Sequence, residues 1–500
     1  MKMNMYYKRS LKTLAIFCLY LALARFSQGA FLIVMTLMGM TFAFNGKIGK
    51  AISIYVMMMF MVSINPNILP KVGIMYTLGL RVGPLLVGIA LAFRGLSMQN
   101  RRRLPLGMIL AYLLVAVVSS LDGWAPVVSF MKLLNFLVFF LGIWLGTQSL
   151  EYDNDGIMVL RETFLALAIF LILGSIIVMP FPGISTLSAL QMASQVESVA
   201  VLNKILEEAA LEGEMFLFCG VTMQSQVLSP LLACTFAWLA CDMLFVEERL
   251  RWPHAVLLVL ALPLMYKTRS RVALFTLMAA LVLVYFYLPR HISMRAQVKR
   301  WLGSVLLSFG LSLVIVAAVS EIHSDAISRW ARKTNDVDLD RRSLSEAVTS
   351  SRQGLIDECM NDFRRNPMFG SGFQVSSFTS ELVDSQKGFI FSSPIEKGVL
   401  PVMVLGETGV IGELIFIVFL FSFFSAGTQR RLFMSITMMS VLLVTNLGEA
   451  TFFSPGGLGG TLWIMCVVGG YALDMSFAMR ARQFVPYRDI NFCRDINYTE

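Results

Sequence analysis

Charged residues are scarce in this chain of 500 amino acids, where Asp, Glu, Lys and Arg together make up 15% of the residues. Hydrophobic residues make up 57%, and the mean hydropathy is +0.71. These values exclude an ordinary soluble globular domain, in which about a quarter of the residues are charged. The composition is that of a polytopic membrane protein. Its apolar runs are too long and too uniform for the alternating strands of an outer-membrane barrel.

The sequence also lacks the short motifs of several common chemistries. It contains no nucleophile elbow, Walker loop or H-E-x-x-H sequence, and its seven cysteines include no C-x-x-C pair. The stretch DVDLDRRSLSEA begins like a calcium loop, but Arg341 stands where the turn glycine belongs and Ala347 where the bidentate acid belongs. We therefore expect no metal site and no cofactor. Cys219 and Cys359 lie in two long loops and could pair, although two unpaired thiols are the simpler expectation.

The chain contains fourteen apolar runs, the clearer of which approach the roughly 20 residues that cross a bilayer core. Because backbone groups in lipid must bond within their own segment, we interpret these runs as helices. The expected fold is an all-α polytopic helical bundle of about 12–14 transmembrane helices, since some short runs could be paired half-spans. The runs lie at about 12–24, 29–45, 51–64, 73–93, 104–121, 125–147, 163–180, 228–246, 253–266, 271–288, 301–320, 399–424, 432–448 and 459–477.

The net charge of +9 is typical of cytoplasmic loops rather than of nucleic-acid binding in a chain of this hydropathy. With the N-terminus inside, the short outer loops hold only Arg25, Lys71 and a cluster at 267–271. No small-residue cleavage site follows the first run in good context, so we expect an uncleaved first helix. The basic residues then assigned to the cytoplasmic side are Lys2, Lys8, Arg9, Lys47, Lys50, Arg94, Arg101, Arg102, Arg103, Arg161, Arg249, Arg251, Arg290, Arg295, Lys299, Arg300, Arg430, Arg431, Arg480 and Arg482.

This orientation places two long segments on the outer face. The first has the helical apolar spacing of a helix that lies on the membrane surface. In the second, Ser343 and Glu346 have capping-box spacing and Asn366-Pro367 ends the pattern, which predicts one helix between them. The expected organisation is transmembrane helices at 1–180, an outer loop at 181–227, transmembrane helices at 228–320, a large outer loop at 321–398, transmembrane helices at 399–478 and a cytoplasmic tail at 479–500.

Charged side chains inside spans are costly in lipid and usually face a cavity or a partner. Guanidinium groups bind phosphate oxygens bidentately and a lysine adds a point charge, so a set of them at headgroup depth suits a diphosphate on a lipid tail. Ion pairs between helices, or cations that snorkel to the interface, are the plainer interpretation of any single member. The candidates toward the outer face are Arg81, Lys132, Lys267, Arg269, Arg271 and Glu407.

Several stretches carry a family resemblance. TRSRVALFTL resembles the T-x-S-R element at the start of a span in the O-antigen ligase and polymerase family, the membrane glycosyltransferases of the Wzy and WaaL type. SSRQGLIDECMNDFRRNPMFGSGF resembles the outer-loop pattern of that family, an S-R followed by a helix and then N-P-x-x-G-x-G-F. EKGVLPVMVLGETGVIGELIFI resembles the E-x-G-x-x-G opening of the following span, and FCGVTMQSQVLSPLLA is similar to a further family segment. Together they cover roughly residues 215–425.

The resemblance implies a GT-C-like enzyme of the bacterial inner membrane whose active site faces the periplasm. Family members take a glycan carried on undecaprenyl diphosphate and transfer its reducing end to an acceptor hydroxyl. The acceptor is another lipid-linked glycan for polymerases, or lipid A-core for ligases. By position, Arg271 matches the span-start arginine and Arg352 the outer-loop arginine, both assigned to diphosphate recognition. The implied partners are the lipid-linked glycan and membrane lipids, with a chain-length regulator and a flippase as further candidates.

The sequence departs from the ligases at one position. Ligases carry a histidine a fixed distance before the G-x-x-G that begins here at Gly409, and Gly398 occupies that register in this chain. The topology places His254 and His291 on the cytoplasmic side, and His323 lies far upstream, so none of the three histidines fills the position.

Without that histidine, a general base would be Glu396 or Glu407, and Lys397 would be a further diphosphate contact. The loss weakens the ligase interpretation more than the polymerase interpretation. Our first hypothesis is therefore a polymerase of a surface polysaccharide such as O-antigen or exopolysaccharide, with an O-antigen ligase as the alternative. A transporter of a lipid-linked or anionic solute is the alternative from another class, and it would favour a midplane site in broken helices.

Overall fold

The computed structural model describes residues 2–70, 74–97, 104–187, 217–246, 252–268, 270, 276, 344–375, 399–448 and 450–484. Helices dominate these residues, and two short strands pair antiparallel. The helices are α1 (Lys2–Phe26), α2 (Gln28–Phe44), α3 (Ile48–Val62), α4 (Ile74–Leu96), α5 (Met108–Leu121), α6 (Pro126–Ser149), α7 (Asn154–Val178), α8 (Pro182–Ser185), α9 (Ser225–Cys241), α10 (Trp252–Lys267), α11 (Leu344–Arg365), α12 (Leu400–Gln429), α13 (Phe433–Thr445), α14 (Gly457–Trp463) and α15 (Gly469–Phe484). The strands are β1 (Thr186–Leu187) and β2 (Leu217–Phe218).

The apolar runs of the sequence form the helices of a membrane protein. Four stretches of the described residues are long and apolar enough to cross a bilayer: Pro126–Tyr152, Asn154–Val178, Leu400–Gln429 and Gly457–Met479. Seven shorter apolar helices accompany them. Most predicted spans within the described residues coincide with these helices to within a few residues, which confirms a helical membrane protein, but α1 and α7 begin about ten residues earlier than predicted, at Lys2 and Asn154. The predicted spans at 271–288, of which only Thr276 is described, and at 301–320 lie outside the described residues.

Buried helices and peripheral helices differ in what they expose. All but one of the residues of α9 are buried, and Trp238 packs against Phe164 of α7 with ring centroids 5.7 Å apart. In contrast, α2 and α12 keep large apolar side chains such as Ile33 and Phe421 exposed. Since hydrocarbon is as favourable a neighbour for these side chains as a protein core, such surfaces suit contact with lipid.

Small residues set the closest helix contacts. A Cβ placed on Gly142 of α6 would lie 2.8 Å from the Cα of Gly88 on α4, so the two backbones pack directly against each other. This use of glycine is typical of membrane helices, which gain van der Waals contact rather than hydrophobic burial when they associate. The packing of α6 on α4 fixes the helix that carries Lys132.

The helix predicted between Ser343 and Asn366 is confirmed as α11, which ends at Arg365, next to Asn366-Pro367. Ser343 itself lies outside the described residues, as do residues 188–216, which contain most of the predicted surface helix. Cys219 and Cys359 are both buried and form no disulfide. The Sγ of Cys219 lies 3.2 Å from the backbone oxygen of Ser185, and no bond joins the two cysteines.

The assignment of Arg161 to a loop is wrong. Arg161 was expected in a cytoplasmic loop, but it lies within α7 with 2% of its surface exposed. Its Nε donates a 3.0 Å hydrogen bond to Oδ1 of Asp242, and the Nε2 of His254 lies 3.0 Å from Oδ2 of the same carboxylate. Tyr7 of α1 completes the network, with its hydroxyl 2.6 Å from Nδ1 of His254. A charged residue near the end of an apolar run is ordinarily interpreted as part of a loop. Here the ion pair with Asp242 allows Arg161 to lie buried within α7.

We expect Asp242→Ala to destabilise the protein strongly, because it leaves the Arg161 guanidinium buried without its carboxylate. The loss of one partner of a buried ion pair costs about 3–5 kcal/mol. The midpoint of thermal unfolding of the purified protein in detergent measures the effect, and Asp155→Ala, at an exposed site in the first turn of α7, is the matched control. Equal midpoints for the two variants would contradict the structural role of this ion pair.

Candidate functional site

Helix α12 is broken in its first half at Gly409. This residue has φ 65° and ψ −167°, whereas the residues on either side continue as two helical pieces. A positive φ is accessible to glycine at little cost because it has no Cβ. The break deprives four backbone groups, the carbonyls of Gly406 and Glu407 and the amides of Val410 and Ile411, of their usual partners within the helix.

The segment that follows α11, residues 366–374, supplies the missing partners. The backbone N–H of Ser371 donates to the oxygen of Gly406 at 2.9 Å, and that of Gly372 donates to the oxygen of Glu407 at 3.1 Å. In the other direction, the N–H of Val410 donates to the oxygen of Pro367 at 2.9 Å. We call residues 366–374 the interlocking segment, because its backbone completes the hydrogen bonding of the broken helix.

The path of the interlocking segment depends on glycine at a point of close approach. Gly370 has φ 73°, and its N–H donates a 2.7 Å bond to the oxygen of Asn366, which turns the chain after α11. A Cβ on Gly370 would overlap the carbonyl carbon of Glu407. Only glycine therefore lets the segment lie directly on the α12 backbone.

The turn between α5 and α6 holds the other side of the interlocking segment. The N–H of Trp124 donates to the oxygen of Ser371 at 3.1 Å, and the Oγ of Ser129 donates to the oxygen of Phe373 at 2.9 Å. The Nζ of Lys132 donates to the oxygen of Gln374 at 3.2 Å. The segment is thus clamped between α12 and the start of α6. The α5–α6 turn and α11 meet beside it, on one side of the bundle.

A polar cavity of about 270 Å³ opens beside this clamp. Its wall includes Trp124, and its floor includes the backbone of Gly370 and Ser371. The remaining lining residues are all polar: Asp122, Asp362, Arg365 and Asn366. The indole Nε1 of Trp124 donates to Oδ1 of Asp362 at 2.9 Å, and the Arg365 guanidinium carbon lies 3.6 Å from the centre of the indole ring.

Two of the predicted site residues meet at the interlocking segment. Lys132 binds its backbone oxygen at Gln374, and Glu407 accepts from its N–H at Gly372. Both side chains are buried, with 6% of Lys132 and none of Glu407 exposed. Glu407 lies within electrostatic range of Tyr112 on α5. The backbone of Gly370 and Ser371 is in contact with both the Glu407 region and the cavity.

Among the remaining predicted site residues, Lys267 is the one whose side chain the structure describes. Lys267 ends α10, and its exposed Nζ lies 3.3 Å from the Sδ of Met179 at the end of α7. The backbones of Arg81 and Arg352 belong to α4 and α11. Arg269, Arg271, Glu396 and Lys397 lie outside the described residues.

Two described residues near those positions in the chain converge on the end of α13. The hydroxyl of Thr276 lies 3.4 Å from that of Thr445, and the N–H of Leu400 donates to the oxygen of Asn446 at 3.0 Å. The T-x-S-R and E-x-G-x-x-G stretches of the sequence are therefore anchored, at these residues, to neighbouring positions of one helix end.

Sequence reasoning missed Trp124, Asp362 and Arg365. Asp122-Gly-Trp between two apolar runs marks a turn but does not indicate what the turn contacts. A basic residue in the last turn of a helix, such as Arg365, is explained by the helix dipole without any site. Among the described residues, no group of three or more His, Cys, Asp or Glu side chains is arranged to hold a metal ion.

Fold and site together define a helical membrane protein with a polar centre where the interlocking segment completes a broken helix. No protein-family model matches the chain, and no curated protein matches it.

We expect Gly370→Ala to separate the interlocking segment from α12. A side chain at positive φ costs about 1–2 kcal/mol, and each backbone hydrogen bond lost with the overlap costs about 1 kcal/mol more. The variant should lower the midpoint of thermal unfolding in detergent by several degrees. Gly456→Ala is the matched control, since its φ is −110° and a Cβ there meets no heavy atom within 4 Å. A Gly370→Ala protein as stable as Gly456→Ala would argue against the close contact.

Proposed function

We propose that this protein is a polymerase of a surface polysaccharide, which joins repeat units carried on undecaprenyl diphosphate. The observation that carries the proposal is the interlock of two stretches that resemble the glycosyltransferase family. The N-P-x-x-G-x-G-F stretch, at 366–373, exchanges backbone hydrogen bonds with the E-x-G-x-x-G stretch around Gly409. Motifs about forty residues apart in the chain thus build one local site, as parts of a single catalytic centre would.

The proposed reaction needs cations for the leaving group and a base for the acceptor. The acceptor hydroxyl attacks the anomeric carbon of the donor glycan, the bond from that carbon to the diphosphate oxygen breaks, and the lipid diphosphate leaves. Positioned cations stabilise the charge that develops on the diphosphate. We assign this role to Arg271 and Arg352, with Arg81, Lys132, Lys267, Arg269 and Lys397 as further contacts.

The proton of the acceptor hydroxyl passes to a carboxylate. Of the two candidates, Glu407 has no exposed surface and lies beneath the interlocking segment. A general base must come within hydrogen-bond distance of the hydroxyl that it deprotonates. The burial of Glu407 therefore favours Glu396 as the base, and we assign Glu407 to the support of the interlocking segment.

The proposed setting is the bacterial inner membrane, with the active site on the periplasmic face and a GT-C-like arrangement of helices. A flippase would deliver the lipid-linked unit and a chain-length regulator would act on the product. A ligase that uses the same donor is the alternative within this chemistry, although the histidine of the ligases is absent from its register.

A transporter is the second candidate, because a helix broken within a span is a common feature of transporter binding sites. In transporters, the freed backbone groups bind the substrate or ion. Here the chain itself fills the break, since Ser371, Gly372 and Pro367 bind the freed groups of α12. This observation favours the polymerase.

We expect Arg271→Ala and Arg352→Ala each to abolish long polymer, since the diphosphate leaving group then lacks a charge-assisted contact. Surface and lipid-linked glycans would be compared by size in cells that lack the protein and carry either variant. Arg364→Ala is the matched control, because Arg364 is exposed on α11 and pairs with Asn361 at 3.1 Å. Single repeat units in place of long chains support the polymerase, and full-length polymer in both variants contradicts it. Long chains stranded on the carrier would instead indicate a ligase.

We expect Glu396→Gln to reduce polymer formation by about 100-fold or more, the usual contribution of a general base. Glu407→Gln should retain long polymer because it preserves the shape and the backbone bonds of the buried residue. Polymer synthesis by purified protein from lipid-linked units would be measured over time, at matched protein amounts. The reverse pattern, an active Glu396→Gln and an inactive Glu407→Gln of unchanged stability, would assign the base to Glu407.

A further inference from the structure

We propose that the cavity beside Trp124 binds a sugar residue of the acceptor glycan, an assignment that rests on the proposed polymerase function. The cavity lies on the interlocking segment, and its lining residue Ser371 is also hydrogen-bonded to Gly406 of α12 and to Trp124 of the α5–α6 turn. Its lining includes Asn366 and Gly370 of the N-P-x-x-G-x-G-F stretch, to which the family resemblance assigned no role in binding. Beside the clamped segment it offers a polar ligand both room and side chains.

The lining of the cavity matches hydroxyl groups. Carboxylates of Asp122 and Asp362 accept hydrogen bonds, the Arg365 guanidinium donates them, and the Asn366 amide does both. A sugar hydroxyl is at once a donor and an acceptor, so alternating partners of this kind satisfy neighbouring hydroxyls. A lipid tail would leave these groups without partners, at a cost for each buried one.

The charge of the cavity separates it from a diphosphate site. Two aspartates and one arginine give the lining a net negative charge, which disfavours an anion. The diphosphate of the donor therefore belongs elsewhere, and a neutral polyol is the better occupant. The volume of about 270 Å³ lies just below the range of about 300–1,000 Å³ that is usual for small-molecule pockets, which suits one sugar ring rather than an extended chain.

The inner wall of the cavity is held in place before any ligand arrives. Asp362 is 3% exposed, and its Oδ1 accepts from the indole of Trp124. The Arg365 guanidinium stacks on the same indole ring, while Asp122 and Arg365 themselves are exposed at the rim. Groups held in this way bind a ligand without a further loss of side-chain freedom. Asp122 takes part in neither of these contacts, so it can be replaced without disturbing the buried bond.

Direct binding tests the proposal without any polymerase reaction. Full-length protein in lipid nanodiscs would be titrated separately with glucose, galactose, rhamnose, mannose and N-acetylglucosamine, and saturation-transfer NMR would detect binding in the millimolar range. We expect at least one sugar to bind, and Asp122→Ala and Arg365→Ala each to weaken it about tenfold, the loss of one charge-assisted hydrogen bond. Arg364→Ala, one position along α11 and outside the lining, should bind like the wild type.

Four outcomes would overturn the assignment. These are the absence of binding by every sugar of the panel, equal binding by the wild type and both rim variants, displacement of the sugar by inorganic diphosphate, and its displacement by ethylamine. The last two would identify an anion site and a cation site. Because the assay uses no lipid-linked donor, its result is independent of glycan profiles in cells. An unchanged glycan profile with sugar binding intact would reject the polymerase and leave the sugar site standing.

Discussion

The break in α12 imposes the constraint on which the rest of the site depends. A backbone group without a partner at membrane depth costs several kcal/mol, so a helix interrupted within a span must find its hydrogen bonds elsewhere. The interlocking segment provides them from outside the helix, and it does so with backbone atoms. This requirement explains the glycine at 370, the contact of the segment with Trp124 and Lys132, and the presence of a cavity beside it.

Two buried carboxylates away from the α12 break show how a buried charge is satisfied, by side chains at one and by backbone N–H groups at the other. Around Asp242, side chains from α1, α7 and α10 neutralise one another within a buried network. Asp474 of α15 instead accepts from the N–H groups of Met434 and Ser435 at 3.0 and 2.9 Å, at the N-terminus of α13. A carboxylate at a helix N-terminus meets unpaired donors and the positive end of the helix dipole. The buried carboxylates of Asp242 and Asp474 thus hold neighbouring helices together, and this role is separate from any chemistry at the α12 break.

The helices could be predicted from the sequence because lipid leaves the backbone few alternatives. Hydropathy located the spans, and Asn366-Pro367 marked the end of α11, since proline restricts the residue before it. The interlock could not be predicted, because bonds between backbone atoms leave no side-chain pattern apart from glycines. Nor could the burial of Arg161 be predicted, since its partner Asp242 lies far along the chain. Of the candidate site, the sequence indicated Lys132 and Glu407 but not the cavity that lies beside them.

The order of the interlocking parts along the chain has a consequence for biogenesis. Residues 366–374 precede α12, so the groups that complete this helix are synthesised before the helix itself. A helix with freed backbone groups would be a poor substrate for release into lipid on its own. Because the interlocking segment has already been synthesised, it is available to α12 as this helix enters the membrane. The hydrogen bonds between α12 and the interlocking segment couple the folding of the two, and a truncation that removed the segment would leave the freed backbone groups of the broken helix without these partners.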